Sequence, residues 1–165
     1  MNILILTYQG DIAGSTNSIS YLSRGLSEKG HNVYVGCRRE SLLYSLLKDT
    51  KVNLIGMTFK SKLDYKNMKR INEFVKKYNI DIINAQSSKD RYTSIFSKIL
   101  YRFDSKIVHT RRQTPKSSGF FLQNWLYNKF TDMFVAVSDE VKEELIRGGL
   151  AKDKVKVIYN GTPNY

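Results

Sequence analysis

Seven short apolar runs recur along the chain, and each is separated from the next by a stretch with helical spacing. The runs are NILILT (2–7), NVYVGC (32–37), VNLIGM (52–57), IDIINA (80–85), SKIVHT (105–110), DMFVAV (132–137) and VKVIY (155–159). Most are rich in β-branched residues and several lack polar alternation, as expected of strands covered on both faces. Between them the apolar period changes to that of a helix. Ile19, Leu22 and Leu26 form one stripe, and Met68, Ile71, Val75 and Tyr78 form a second. Tyr92, Ile95, Phe96, Ile99, Leu100 and Phe103 form a third, and RRESLLYSLLKD reads as a short helix. Gly30 is placed to end the first helix from its C′ position, and Ser138 to cap the last, with Asp139 and Glu140 in its first turn. Parallel strands need crossover helices, and those crossovers are right-handed. The alternation therefore predicts an α/β fold: a Rossmann-like, doubly wound, mostly parallel sheet of about seven strands with helices on both faces.

A sheet of that kind binds ligands outside the carboxyl ends of its strands. The residues just after each apolar run are thus the ones to examine. After the first run comes YQGDIAGSTNS, a glycine-rich turn opening a helix. Backbone N–H groups there face outward and the helix dipole favours an anion. Gly10 and Gly14 permit close backbone approach, and Ser15 or Thr16 can cap. The glycines are four apart with no third, so this is not the dinucleotide fingerprint, and no P-loop lysine follows. A phosphate contact at Gly14, Ser15 and Thr16 stands beside a plain tight turn as the alternative. After the fourth run, Gln86, Ser87 and Ser88 offer neutral hydrogen bonds of the kind a sugar needs. Asp90 reads as a first-turn helix carboxylate ahead of a general base. After the fifth run, the guanidinium forks of Arg111 and Arg112 suit phosphate or carboxylate. His109 falls inside the strand, where a structural role is open to it. Next come a loop with Pro115 and Lys116 and the aromatic segment FFLQNWLYNKF. Phe121, Leu122, Trp125 and Leu126, with Lys116 and Lys129 nearby, fit either a membrane interface or the core, and Trp125 is read as a core residue.

The chain has 165 residues, 41% of them hydrophobic, which suits one domain with a real core. Lys and Arg number 27 against 15 acids, a net charge of +12, so the surface attracts something anionic unless it serves solubility alone. The excess is concentrated: residues 89–116 hold eight Lys/Arg against two acids. Cys37 is the only cysteine, which fits a small buried hydrophobe in a reducing compartment. Metal-binding motifs, nucleophile elbows and nucleic-acid modules are all missing, so no metal, resident cofactor or nucleic-acid partner is expected. The N-terminus lacks the features of a signal peptide, and no stretch approaches the ~20 apolar residues of a membrane span. The expected location is cytoplasmic, with contact at the inner face of an anionic membrane as an extension of that reading.

The order of these pieces resembles family 4 glycosyltransferases. The opening NILILTYQGDIAGSTNSISYLSRGLSEKGHNVYVGCR is similar to their start: strand, Gly-rich turn, helix ending in Gly30-His31, second strand. DIINAQSS looks like their fourth-strand segment, and FTDMFVAVSDEVKEELIRGGLAKDKVKVIYNGTP like their late stretch closing in an Asn-Gly turn. The resemblance implies a GT-B enzyme of two Rossmann-like halves facing across a cleft. Residues 1–161 then form the N-terminal, acceptor-binding half and 162–165 begin the crossing to a donor-binding half that lies outside this chain. It also implies transfer of a sugar from a nucleotide-sugar co-substrate to a glycan or lipid-linked acceptor, with retention and without a bound metal. Carried over, Gly14, Ser15 and Thr16 would contact donor phosphate or acceptor, and Gln86, Ser87, Arg111 and Arg112 the acceptor. Many relatives place a His shortly after the fifth-strand Thr. Here Thr110 is followed by Arg111 and Arg112, so Arg112 or His109 is left for a catalytic role, and Gln86 stands near a second family His. A stand-alone Rossmann-like binding module, or one subunit of a split enzyme, is the alternative.

Overall fold

The computed structural model describes residues 1–11, 13–113 and 121–161. The loop carrying Pro115 and Lys116 and the segment 162–165 therefore lie outside the described residues. The strands are β1 (Asn2–Leu6), β2 (Asn32–Cys37), β3 (Asn53–Gly56), β4 (Ile82–Ala85), β5 (Lys106–Arg111), β6 (Met133–Ala136) and β7 (Val155–Val157). They form one sheet in the order β3-β2-β1-β4-β5-β6-β7, and every pairing is parallel. The order reverses between β1 and β4, which makes the crevice above those two strands the expected ligand position.

The helices are α1 (Ala13–Glu28), α2 (Leu42–Leu47), α3 (Tyr65–Tyr78), α4 (Ser88–Tyr101), α5 (Phe121–Phe130) and α6 (Asp139–Arg147). Alternating strand side chains feed different layers. Ile3, Ile5, Val33 and Val35 pack with Ile19 of α1 and Leu43 and Leu47 of α2. Leu4, Leu6 and Ile83 pack on the other face with Ile71 and Val75 of α3. Ile107, Phe134 and Val155 pack with Ile95 of α4, Tyr127 of α5 and Val141 and Leu145 of α6. Ile83 and Ile107 are register partners, so these last two cores share one face of the sheet. Helices do cover both faces, but unevenly. Among the described residues the α1 side of β5–β7 carries no helix, and Val108, Val135 and Val137 there are only half-buried.

The predicted punctuation is in place. Gly30 takes φ +84° just after α1, where a side chain would be strained. The Ser138 hydroxyl accepts the Val141 N–H at 3.2 Å as the cap of α6. Cys37 is fully buried, and burial pushes its thiol up to about 11.

Three apolar stripes need correction. Leu22 is exposed on α1, at the edge of the uncovered face. On α4, Ile99 and Leu100 are exposed, while Asp90, Thr93, Ser94 and Ser97 are buried beside Ile95. The physical reason is that α4 packs against α3 through small hydroxyl side chains that satisfy themselves on backbone. Ser97 Oγ donates to the Met68 carbonyl at 2.8 Å and Ser94 Oγ to the Asp90 carbonyl at 2.7 Å. On α5, Trp125 is not a core residue: it is 47% exposed, with Phe121 at 85% and Leu122 at 64%. Only Tyr127 of that helix is fully enclosed, because it fills the gap between α4 and β5–β6.

Candidate functional site

The loops after β1 and β4 are tied together by one carboxylate. Asp90, fully buried in the first turn of α4, accepts the N–H groups of Gln86 and Ser87 at 2.8 Å each and that of Tyr8 at 3.2 Å. The Thr7 and Ser87 hydroxyls meet across the same seam at 3.0 Å. Burial pushes the Asp90 carboxyl up to about 7, against the Ser87 N–H, the Arg91 charge and the Tyr8 N–H, which favour the carboxylate. Both oxygens are occupied by backbone, so Asp90 positions loops and offers no face to a substrate.

A line of polar side chains runs from this seam toward β5. Gln86 Nε2 donates to Asn84 Oδ1 at 3.0 Å, and Thr110 Oγ1 donates to the same oxygen at 3.0 Å. Arg112 Nη1 donates to Gln86 Oε1 at 2.5 Å, and its Nη2 reaches Ser18 Oγ of α1 at 3.4 Å. Ser18 Oγ in turn donates to Asn160 Oδ1 at 2.8 Å, just beyond β7. Ser18, Asn84, Thr110, Arg112 and Asn160 line an open crevice of about 540 Å³, whose apolar wall includes Leu22, Val135, Val137 and Ile158; Gln86 is buried and reaches the crevice only through its bond to Arg112. The exposure of Leu22 is thereby explained: it faces the crevice. Arg112 Nε is buried with no partner among the described residues. Burial lowers the Arg112 guanidinium to about 10, still charged at neutral pH.

The β1–α1 turn divides its glycines between two tasks. A Cβ on Gly10 would lie 2.8 Å from the Ser41 Cβ, so Gly10 is bare in order to seat α2, whose Leu43 N–H it accepts at 3.0 Å. Asp11 ion-pairs with Arg38 and accepts the Leu42 N–H at 3.0 Å. Gly14 is exposed, and a Cβ there would meet nothing within 4 Å. That leaves open surface above the first turn of α1. Ser15 and Thr16 do not cap α1, because the helix already begins at Ala13. Thr16 turns fully inward, with its Oγ1 buried and without a partner among the described residues.

Strand alternation separates the remaining candidates. Arg112 points to the α1 side, whereas His109 and Arg111 leave β5 on the α4–α5 side. His109 is fully buried, its ring 5.4 Å from that of Tyr127 and 5.5 Å from that of Phe134. Burial first, then the charges of Arg91 and Arg111, hold its pKa well below the ordinary value, so the imidazole is neutral and packed away from the crevice. The structure thus brings Gln86 and Arg112 together beside Ser18, and places Ser87 at the adjoining seam. It puts Arg111 and His109 on the other side of the sheet.

Sequence reasoning passed over Asn84, Thr110, Ser18 and Asn160. Asn84 carried a signal, since it is an uncharged polar residue within the apolar run IDIINA. A polar group in a covered strand needs partners. Ser18 carries no such signal, being one of several serines in a helical stretch.

The fold has solved counterparts. HepE of Anabaena in complex with UDP superposes with a TM-score of 0.78 at 19% identity, over 98% of this chain and 44% of its own. A glycosyltransferase from Rickettsia africae ESF-5 gives 0.76 at 24% identity, over 96% of this chain and 42% of its own. The lipopolysaccharide outer core galactosyltransferase WaaB in its apo form gives 0.70 at 16% identity, over 98% and 46%. The chain therefore spans less than half the length of each of these proteins. Comparison with curated proteins returns no match. The family model described as Glycosyltransferase Family 4 matches residues 12–163.

Proposed function

The chain belongs to glycosyltransferase family 4, and from that premise we propose that it is the acceptor-binding half of an enzyme that moves a sugar from a nucleotide-sugar to a glycan or lipid-linked acceptor. Residues 1–161 are the N-terminal half, and 162–165 start the crossing to a donor-binding half. The solved neighbours, all more than twice as long, support that division. UDP in HepE supports a nucleotide-sugar as the second substrate.

The single observation that carries this reading is the set Arg112, Asn84, Thr110 and Ser18 lining one crevice, with buried Gln86 linking Arg112 to Asn84. Neutral amide and hydroxyl groups suit sugar hydroxyls, and a fixed guanidinium suits the charge that develops as a diphosphate leaves. Here the Arg112 fork is aligned by Gln86 before any ligand arrives, which avoids reorganisation during transfer. Gly14 leaves room for the phosphate or acceptor to reach the N–H groups of α1. Transfer is with retention and without a bound metal.

The enzyme works in the cytoplasm, peripheral on the inner face of the membrane. Exposed Phe121, Leu122 and Trp125, with Lys129 Nζ 4.9 Å from the Trp125 ring, support such contact, as does the +12 charge. No described helix is long and apolar enough to cross a bilayer.

The test is a transfer assay with labelled nucleotide-sugars and a membrane lipid extract as acceptor source. The 165-residue chain alone is expected to be silent, and the longer polypeptide containing it active. Robust turnover by the isolated chain overturns the division into halves. Silence of the longer protein across common nucleotide-sugars favours the binding-module reading.

A further inference from the structure

The ends of parallel strands meet at one rim, and four of the segments there close on a hollow apart from the Arg112 crevice. Tyr8, Gln9 and Asp11 follow β1, Arg38 follows β2, Phe59 lies beyond β3, and Lys89 stands in the first turn of α4 after β4. They line an open cavity of about 350 Å³, within the size range of small-molecule sites. It spans the point where the strand order reverses, between β1 and β4, at which sheets of this kind take their ligands.

The walls of the hollow are held in place. The Tyr8 N–H donates to Asp90 Oδ1 at 3.2 Å, and Gln9 Nε2 donates to the Tyr8 hydroxyl at 3.2 Å. Phe59 is buried in the core with Leu6 and Met57 and gives an apolar floor. Asp11 ion-pairs with Arg38 and accepts the Leu42 N–H, so both of those charges are answered within the fold. Lys89 differs. It is half-buried, with its Nζ 4.9 Å from the centre of the Tyr8 ring. Among the described residues it makes no ion pair. The adjacent Asp90 carboxylate is turned inward onto three backbone N–H groups. One ammonium is thus left over in a polar hollow.

A cation in a half-enclosed site is screened less than one on open surface, so it discriminates by charge. Beside it, the Gln9 amide and the Asp11 carboxylate are groups that hydrogen-bond ring hydroxyls. We propose that this hollow is a subsite for a sugar unit carrying a negative charge, as a carboxylate or a phosphate group, with Lys89 selecting the charge and Gln9 and Asp11 meeting the hydroxyls. Placing that unit within the acceptor rests on the transfer reading; the pocket and its charge preference do not.

Glucuronate, glucose 6-phosphate and glucose are each titrated into the 165-residue chain while its backbone amides are followed by NMR. At least one of the two anions should bind roughly tenfold more tightly than glucose, as one charge-assisted contact provides, and should shift the amides of Tyr8, Gln9 and Asp11. Lys89→Gln should lose that preference, and Lys89→Arg should keep it. Gln9→Ala should weaken all three sugars alike by a few-fold, at about the level of one neutral hydrogen bond. Lys152→Gln, an exposed lysine in the turn before β7, should change nothing. Preference for both anions supports a subsite for negative charge in either group; preference for one alone identifies the carboxylate or the phosphate. The proposal is overturned if none of the three binds, or if glucose binds as tightly as both anions. It is equally overturned if the shifted amides lie only along the Arg112 crevice, or if Lys89→Gln keeps the preference. Sugar transfer has no part in this test, so a chain that binds the anions within an inactive longer protein would remove the transfer reading alone.

Discussion

Arg112 Nη1 and Gln86 Oε1 lie 2.5 Å apart, so the loop after β5 and the loop after β4 share one hydrogen bond at the mouth of the crevice. Gln86 is itself held by Asn84, which Thr110 also holds. The guanidinium is thus aimed by Gln86 of the loop after β4, backed by Asn84 and Thr110 of the sheet, and by Ser18 of α1. In the longer enzyme, Arg112→Lys keeps a charge but loses the fork, and kcat/KM should fall roughly tenfold or more. Gln86→Ala leaves Arg112 with Ser18 alone and should cost a few-fold at about the level of one neutral hydrogen bond. Steady-state transfer kinetics check both. Equal and negligible effects would remove Arg112 from the site.

The two glycines of the first loop should respond in opposite directions. Gly10→Ala drives a Cβ to 2.8 Å from the Ser41 Cβ, an overpacking that costs about 1–3 kcal/mol. Gly14→Ala meets no neighbour and sits in a helix, where Ala is favoured by about 0.5–1 kcal/mol. Chemical denaturation of the two variants should therefore move the midpoint down for Gly10 and up for Gly14. If the open surface above Gly14 receives a ligand, Gly14→Ala should also raise KM in the longer enzyme. A stabilised variant with unchanged KM would show that this surface is idle.

Asp90 makes stability depend on pH. Its folded carboxyl is pushed up to about 7, above the ordinary unfolded value of about 3.9. Between those values the folded chain holds a proton that the unfolded chain has released. Stability should then fall as pH rises from about 4 to 7, and level off above. Asp90→Asn should remove that slope. It should also cost about 1–3 kcal/mol, because an amide NH₂ is set against a backbone N–H that loses its acceptor. Urea midpoints at pH 5 and pH 8 decide it; a variant with the wild-type slope clears Asp90 of the effect.

Asp132 behaves in the opposite sense. Burial works to raise it, but the Ile107 N–H at 2.9 Å and Lys106 at 3.1 Å, helped by Lys98, outweigh burial and hold it below the usual carboxylate range. The stabilisation is present above the ordinary carboxylate pKa and is lost as pH falls through the lower folded value. Asp132→Asn should cost roughly 1 kcal/mol at pH 7 and flatten the acid limb of the stability curve. Transfer should be unchanged, since Asp132 joins the opposite end of β5 from Arg112. Calorimetry between pH 3 and 7, with an assay at neutral pH, tests both halves.

The sequence by itself determined the strand count, the parallel sheet and the helix ends. The reason is local: a strand buried on both faces must be apolar throughout, and Gly30 and Ser138 act within one turn of where they stand. It also marked Gln86 and Arg112, because the topology sends strand ends to one rim. Tertiary structure alone decided which neighbours at that rim cooperate. Adjacent Arg111 and Arg112 look equivalent in a string, yet the two-residue period of a strand sends them to opposite faces. The apolar stripes of α4 and α5 pointed inward on paper. Whether a stripe is buried depends on what packs against it, and close contact with α3 gave that place on α4 to Ser97, with Ser94 buried beside it, while among the described residues Trp125 of α5 meets the Lys129 and Phe130 side chains of its own helix and stays half exposed.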